Sequence, residues 1–92
     1  MKYRSRTEIT SDILEAAVGG TTKTRIMYKA FLSYAQLKEY LQVLIENGLL
    51  DYNKKEDVFK TSEKGMRFLK ICEEIDKLAS PSFFPSFQQE SE

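Results

Sequence analysis

Leu44-Ile45-Glu46-Asn47-Gly48-Leu49-Leu50-Asp51-Tyr52-Asn53-Lys54-Lys55-Glu56-Asp57-Val58-Phe59-Lys60-Thr61-Ser62 decides the fold, because the hydrophobic period changes within it. Up to Ile45 the apolar residues recur at helical spacing. Asn47-Gly48 then ends the helix. Leu50-Asp51-Tyr52 alternates, as does Val58-Phe59-Lys60-Thr61, around the polar loop Asn53-Lys54-Lys55-Glu56-Asp57. Two short alternating runs joined by a charged loop predict a β-hairpin.

Upstream, the pattern is helical three times. Ser5 and Glu8 have the spacing of a capping box, followed by Ile9, Ile13, Ala16 and Ala17 at helical intervals and by the stop Gly19-Gly20. Thr21 or Thr22 is expected to cap a second, shorter helix with the stripe Ile26, Met27, Ala30 and Phe31. Leu32-Ser33 leaves room only for a tight turn. Ser33 and Gln36 form a second capping box, opening a helix over 33–47. Leu37, Leu41, Leu44 and Ile45 line one face of it, with Tyr34 and Tyr40 on the flanks. The opposite stripe holds Ala35, Lys38, Glu39, Gln42 and Glu46.

Downstream, Thr61 or Ser62 is expected to cap a last helix over 62–79. Phe68, Cys72, Ile75 and Ala79 are spaced as in a coiled-coil seam, and Leu69, Ile71 and Leu78 widen the apolar surface. Gly65 reads as a weak point there, costing about 1 kcal/mol against alanine. Pro81 ends the helix, since the residue before proline resists the helical conformation. Residues 80–92 form an acidic tail carrying Phe83, Phe84 and Phe87. The expected organisation is one domain over 1–79 plus this tail, in an α+β, mostly helical class.

Composition removes several functions. The chain has 92 residues, no histidine and one cysteine. Ser/His and Cys/His catalytic arrangements, histidine-containing and all-cysteine zinc sites, and an internal disulfide are thereby excluded. Gly19-Gly20 lacks the Gly-Lys-Ser/Thr of a phosphate loop. Glu73-Glu74 point to different sides of a helix and form no acid/base pair. No run approaches the ~20 apolar residues of a membrane span, and no signal-peptide stretch follows the basic Met1-Lys2-Tyr3-Arg4. A cytoplasmic protein is expected, without enzymatic activity, cofactor, metal, membrane contact or small-molecule ligand.

The zero net charge hides a gradient. Residues 1–38 carry seven basic groups against three acidic, residues 39–72 balance, and residues 73–92 carry one basic group against five acidic. A positive front and a negative tail rule out a uniformly basic coat, while leaving a local basic face.

The order helix, helix, helix, hairpin, helix, with a tight turn between the second and third helices, resembles a winged helix-turn-helix domain. Leu37-Lys38-Glu39-Tyr40-Leu41 running into Leu44-Ile45-Glu46-Asn47-Gly48-Leu49-Leu50 resembles the end of a recognition helix entering the first wing strand. Thr61-Ser62-Glu63-Lys64-Gly65 with Phe68-Leu69 resembles the close of the wing and the start of the last helix. Thr22-Lys23-Thr24-Arg25-Ile26-Met27-Tyr28 with Leu32-Ser33-Tyr34-Ala35-Gln36-Leu37 is similar to small archaeal winged-helix DNA-binding proteins. These include a chromatin-associated 10-kDa type that dimerises through a long C-terminal antiparallel coiled coil. The resemblance spans residues 5–79. The chain departs from that type at Pro81, which stops the last helix after about seventeen residues, or ~25 Å. That argues against a long rod and leaves a compact dimer open.

The resemblance implies double-stranded DNA as partner and a transcription regulator or a nucleoid-associated chromatin factor as function. Helix 33–47 would read the major groove and wing 50–61 the flanking backbone. On its exposed stripe, Ser33, Tyr34, Ala35, Gln36, Lys38 and Gln42 are the candidate contacts; Gln42 suits adenine and Lys38 suits guanine or phosphate. Lys23, Thr24 and Arg25 at the start of the second helix suit a phosphate. Lys54 and Lys55 occupy the wing tip, beside the opposing charges of Glu56 and Asp57. Arg4 and Arg6 are candidates for a basic arm. Phe68, Cys72, Ile75, Leu78 and Ala79 either pack on their own domain or meet a second copy, and a homodimer is expected. The alternative reading is a winged-helix protein-interaction module of a transcription complex. Zero net charge and the acidic Glu39 and Glu46 on the third helix favour it. Phe83, Phe84 and Phe87 are expected either to dock on a groove of their own chain or of the partner, or to form a disordered peptide that another protein reads.

Overall fold

The structure is a computed structural model and describes residues 4–78. Ala79 and the tail with Phe83, Phe84 and Phe87 lie outside the described residues. The elements run α1 (Arg6–Ala16), α2 (Lys23–Ala30), α3 (Tyr34–Glu46), β1 (Leu50–Asn53), β2 (Val58–Thr61) and α4 (Glu63–Leu78).

The local chemistry that starts each helix is visible in its hydrogen bonds. Ser5 Oγ accepts from the Glu8 N–H, and Glu8 Oε1 accepts from the Ser5 N–H, closing the first capping box. Ser33 and Gln36 do the same for α3. Thr22, rather than Thr21, caps α2, its Oγ1 accepting from the Arg25 N–H at 3.3 Å. Each box satisfies amide groups that a helix leaves without internal partners.

Thr21 does something the alternation pattern did not foresee. It exchanges both backbone hydrogen bonds with Phe59, at 2.8 and 2.7 Å, adding a single-residue third rung beside β2. The hairpin itself is antiparallel, with Leu50 opposite Thr61 and Tyr52 opposite Phe59. Thr61 anchors it to the helices. Its buried hydroxyl donates to the Leu14 carbonyl at 2.6 Å, and its N–H donates to the Ala17 carbonyl at 3.1 Å.

The core gathers Ile13 and Leu14 from α1 with Ala17 at its C-cap, Ile26 and Ala30 from α2, Leu37, Leu41 and Leu44 from α3, and Leu50 and Phe59 from the hairpin. Burial of this apolar surface is the main force holding the three helices under the wing. Leu32, in the tight turn, is buried with them.

Three expectations are corrected. Phe31 is not part of the apolar stripe of α2, since it is 83% exposed. The helix ends at Ala30, and Phe31 takes the left-handed conformation at φ 55°. The following Leu32 N–H returns to the Met27 carbonyl at 3.1 Å, so the next side chain, Leu32, turns inward instead. Ile45 likewise faces solvent, because α3 buries only the Leu37–Leu41–Leu44 line. Gly65 is not merely a weak helical position. It is buried, and a Cβ there would overlap the Leu49 carbonyl oxygen and lie 2.6 Å from Thr61 Cγ2. The absence of a side chain lets α4 press against the junction of α3 and β1.

That junction is also hydrogen-bonded. Ser62 Oγ accepts from the Gly65 N–H at 3.0 Å and donates to the Gly48 carbonyl at 2.6 Å. The Ser62 N–H donates to the Leu49 carbonyl, and Lys64 Nζ to the Asn47 carbonyl at 2.8 Å. The end of α3 and the start of α4 are thus fixed to each other, next to the point where α3 runs into the hairpin.

Candidate nucleic-acid interface

The N-termini of α2 and α3 come together through side chains. Lys23 Nζ lies 5.6 Å from the centre of the Tyr34 ring, and Lys38 Nζ lies 5.9 Å from it. One cation comes from α2 and the other from α3, one turn beyond Tyr34. Both distances are within the range of cation–π attraction. The same ring thus attracts an ammonium group from each of the two helices. Tyr34 is 53% exposed, so this cluster faces solvent.

Ala35, Lys38, Glu39, Gln42 and Glu46 of α3 are all exposed, along with Thr24 and Arg25 at the start of α2. The helix-turn-helix therefore presents the expected stripe. Not every expected side chain on it is free, however. Ser33 Oγ and the Gln36 amide oxygen are engaged by the α3 cap. Gln42 Nε2 donates to Glu46 Oε2 at 3.3 Å, which places the second half of the stripe under local acidic influence.

Arg4 is held away from the role of a loose arm. Its Nη1 forms an ion pair with Asp12 Oδ2 at 2.7 Å, and its Nη2 donates to the Phe31 carbonyl at 3.2 Å. It fastens the chain entering α1 to the turn after α2. Arg6 is exposed and borders a groove shared by Thr10 of α1 and Tyr40 and Val43 of α3.

At the wing, Lys54 and Lys55 are exposed at the tip. Asn53 Oδ1 accepts from the Glu56 N–H, and Asp57 adopts a left-handed conformation at φ 57°. The Tyr52 hydroxyl donates to Asp57 Oδ1 at 2.7 Å while its ring packs on Phe59, centroids 4.7 Å apart. That hydrogen bond pushes the Tyr52 phenol above its ordinary pKa. Asp57 is thereby occupied at the base of the tip, leaving the two lysines further out.

On α4, Phe68 packs against the core of its own domain. Cys72 is half-buried beside a groove between α1 and α4. Burial, followed by the charges of Asp76 and Glu15, pushes its thiol up, the reverse of what a reactive thiolate needs. Ile75 and Leu78 are 56% and 66% exposed. No cluster of potential metal ligands exists among the described residues, and none of their helices is long and apolar enough to cross a membrane.

The residues that sequence reasoning missed are Tyr28 and Phe31, both projecting from the exposed side of α2. The exposure of Phe31 follows from where α2 stops, which periodicity alone does not give, and Tyr28 lies off the side of α2 that buries Ile26 and Ala30.

Three helices, a tight turn, a two-stranded wing sewn to the first helix, and a fourth helix packed on the junction define a winged helix-turn-helix. The chain belongs to that family, whose sequence model matches residues 3–80; it is a binding fold and not an enzyme. The chain is 34% identical over 73 residues to an uncharacterized protein of Methanocaldococcus jannaschii, covering 78% of this chain and 73% of the relative. Its structure is similar to that of Sso10a-2, a DNA-binding protein from Sulfolobus solfataricus. The match has a TM-score of 0.80 at 26% identity and covers 96% of this chain and 95% of that one.

Proposed function

We propose that this protein binds double-stranded DNA as a transcription regulator or a nucleoid-associated chromatin factor. The N-terminal half of α3 enters the major groove, the start of α2 meets a phosphate, and the wing lies on the flanking backbone. The observation that carries this reading is the convergence of Lys23 and Lys38 on Tyr34, at the end of α3 that such a fold inserts. The similarity to a protein described as DNA-binding supports it. Arg25 tests it on the backbone side. Arg25→Ala is expected to weaken binding to all duplex sequences alike and to shallow the salt slope by about one unit. A slope equal to that of the wild type would remove α2 from the interface.

The same reading includes a homodimer formed through α4. Ile71, Ile75 and Leu78 are spaced four and three apart and are exposed, whereas Phe68 belongs to the domain's own core. The seam is therefore the outer part of the helix, together with Cys72 and with Ala79 beyond the described residues. Ile75→Asp is expected to give a monomer by light scattering. A mass unchanged from the wild type would eliminate this seam. Glu39, Glu46 and the occupied Gln42 favour the other reading, a module that binds protein. Loss of partner protein, with no duplex binding at any salt, is its signature.

A further inference from the structure

The motif that closes α3 also closes α2. At the end of α3, Gly48 takes φ 76° and the next N–H returns to the Leu44 carbonyl at 2.9 Å. Glycine is the residue this conformation favours. At the end of α2 the same position holds Phe31, with φ 55° and the next N–H returning to Met27. A left-handed residue with a Cβ is strained, and the ring gains no burial in exchange, being 83% exposed. The Arg4 guanidinium, itself paired with Asp12, fixes the Phe31 carbonyl. The turn is thereby clamped in the geometry that projects the ring outward. One helical turn earlier stands Tyr28, 72% exposed.

The stretch that carries these rings has charge of one sign, and the acid that comes near the Phe31 carbonyl from outside it, Asp12, is paired with Arg4. From Ala16 to Lys38 the chain has no acidic residue and carries Lys23, Arg25, Lys29 and Lys38. Lys29 borders Asp12 and Glu15 of α1, but Lys23, Arg25 and Lys38 stand clear of that pair. Flat exposed rings on a stretch whose charged side chains are all cationic call for a polyanion whose own flat faces are accessible. A duplex keeps its base faces inside the stack, while an unpaired strand displays them.

We propose that the exposed side of α2 and the turn after it bind single-stranded nucleic acid. Unpaired bases stack on Phe31 and Tyr28, and Lys23, Arg25 and Lys38 neutralise the adjoining phosphates. The rings lie outside the duplex-reading stripe of α3, although the two sites share Lys23, Arg25 and Lys38.

The test compares the full chain with the double variant Tyr28→Ala/Phe31→Gly, titrated with a labelled oligothymidylate and, in parallel, with a duplex of equal length. Both side chains are exposed, and glycine suits the Phe31 backbone, so the variant is expected to melt no lower than the wild type. Its affinity for oligothymidylate is expected to fall about ten- to hundredfold, with duplex affinity unchanged. Phe31→Trp, which keeps a stacking surface, is expected to retain strand binding. The proposal is overturned if the wild type does not bind the oligothymidylate at low salt, or if the double variant binds it as well. It is also overturned if duplex and single-strand affinities fall together, which would place the rings in the duplex interface. A change in self-association with strand affinity intact would make the face a contact between copies. Failure of the wild type to bind duplex, with strand binding kept, would strike the α3 reading and leave this one standing.

Discussion

Gly65→Ala is expected to destabilise the domain by about 1–3 kcal/mol, the usual cost of forcing an extra group into a packed site. For a domain of this size that is a fall in melting temperature of roughly 5–20 °C. The sign is the informative part. Gly65 lies in the first turns of α4, and helix propensity alone makes alanine better there by about 1 kcal/mol. A local view therefore predicts a more stable protein. The structure predicts the opposite, because the new methyl group would overlap the Leu49 carbonyl oxygen and crowd Thr61 Cγ2. The Leu49 carbonyl has little freedom to withdraw, since it accepts the Ser62 N–H at 3.1 Å. Thr61 is held in turn by the Leu14 carbonyl. Thermal melting of the single variant decides between the two signs, and a higher melting temperature would contradict the close approach of α4.

The second large effect concerns the cluster at Tyr34. The double substitution Lys23→Ala/Lys38→Ala is expected to shallow the dependence of log affinity for duplex DNA on log salt by about two units. Each phosphate neutralised contributes ~0.9 to that slope. Both lysines are exposed and neither forms an ion pair among the described residues, so stability is expected to change by less than about 0.5 kcal/mol. An unchanged slope with a folded protein would show that this end of α3 does not meet phosphate. The pair matters more than either residue alone. Two charges from different helices border the single Tyr34 ring, whereas Lys54 and Lys55 sit on a tip that also carries Glu56.

Much of this architecture was legible in the sequence, for identifiable reasons. Ser5 with Glu8 and Ser33 with Gln36 fix helix starts through bonds only three residues long, so local spacing suffices to find them. The hairpin announced itself because Leu50 to Thr61 abandons the helical period on both sides of a polar loop. The helical stripes gave Ile13, Ile26, Leu37, Leu41 and Leu44 as core in the same way.

What escaped was set by contacts between distant segments. Gly65 looks like a defect until Leu49 is placed against it. Thr21 pairs with Phe59 through a single residue, too short to show alternation. Arg4 reads as a free cation until α1 folds Asp12 beside it. Phe31 shares the helical interval of Ile26, Met27 and Ala30, yet α2 stops one residue short of it and Leu32 takes the inward place. At the candidate interface the residue types were readable, but the approach of Lys23 to the ring of Tyr34 depends on how the turn sets α2 against the start of α3. The engagement of Ser33, Gln36 and Gln42 by their own helix was likewise invisible in a list of polar side chains.

Titration of the full chain against a mixed-sequence duplex pool at two salt concentrations decides whether this winged helix binds duplex DNA through its basic front. Such binding is expected to be micromolar or tighter at the lower salt and to fall steeply at the higher. Absence of binding at the lower salt would contradict it and make the balanced net charge the better guide to a protein partner.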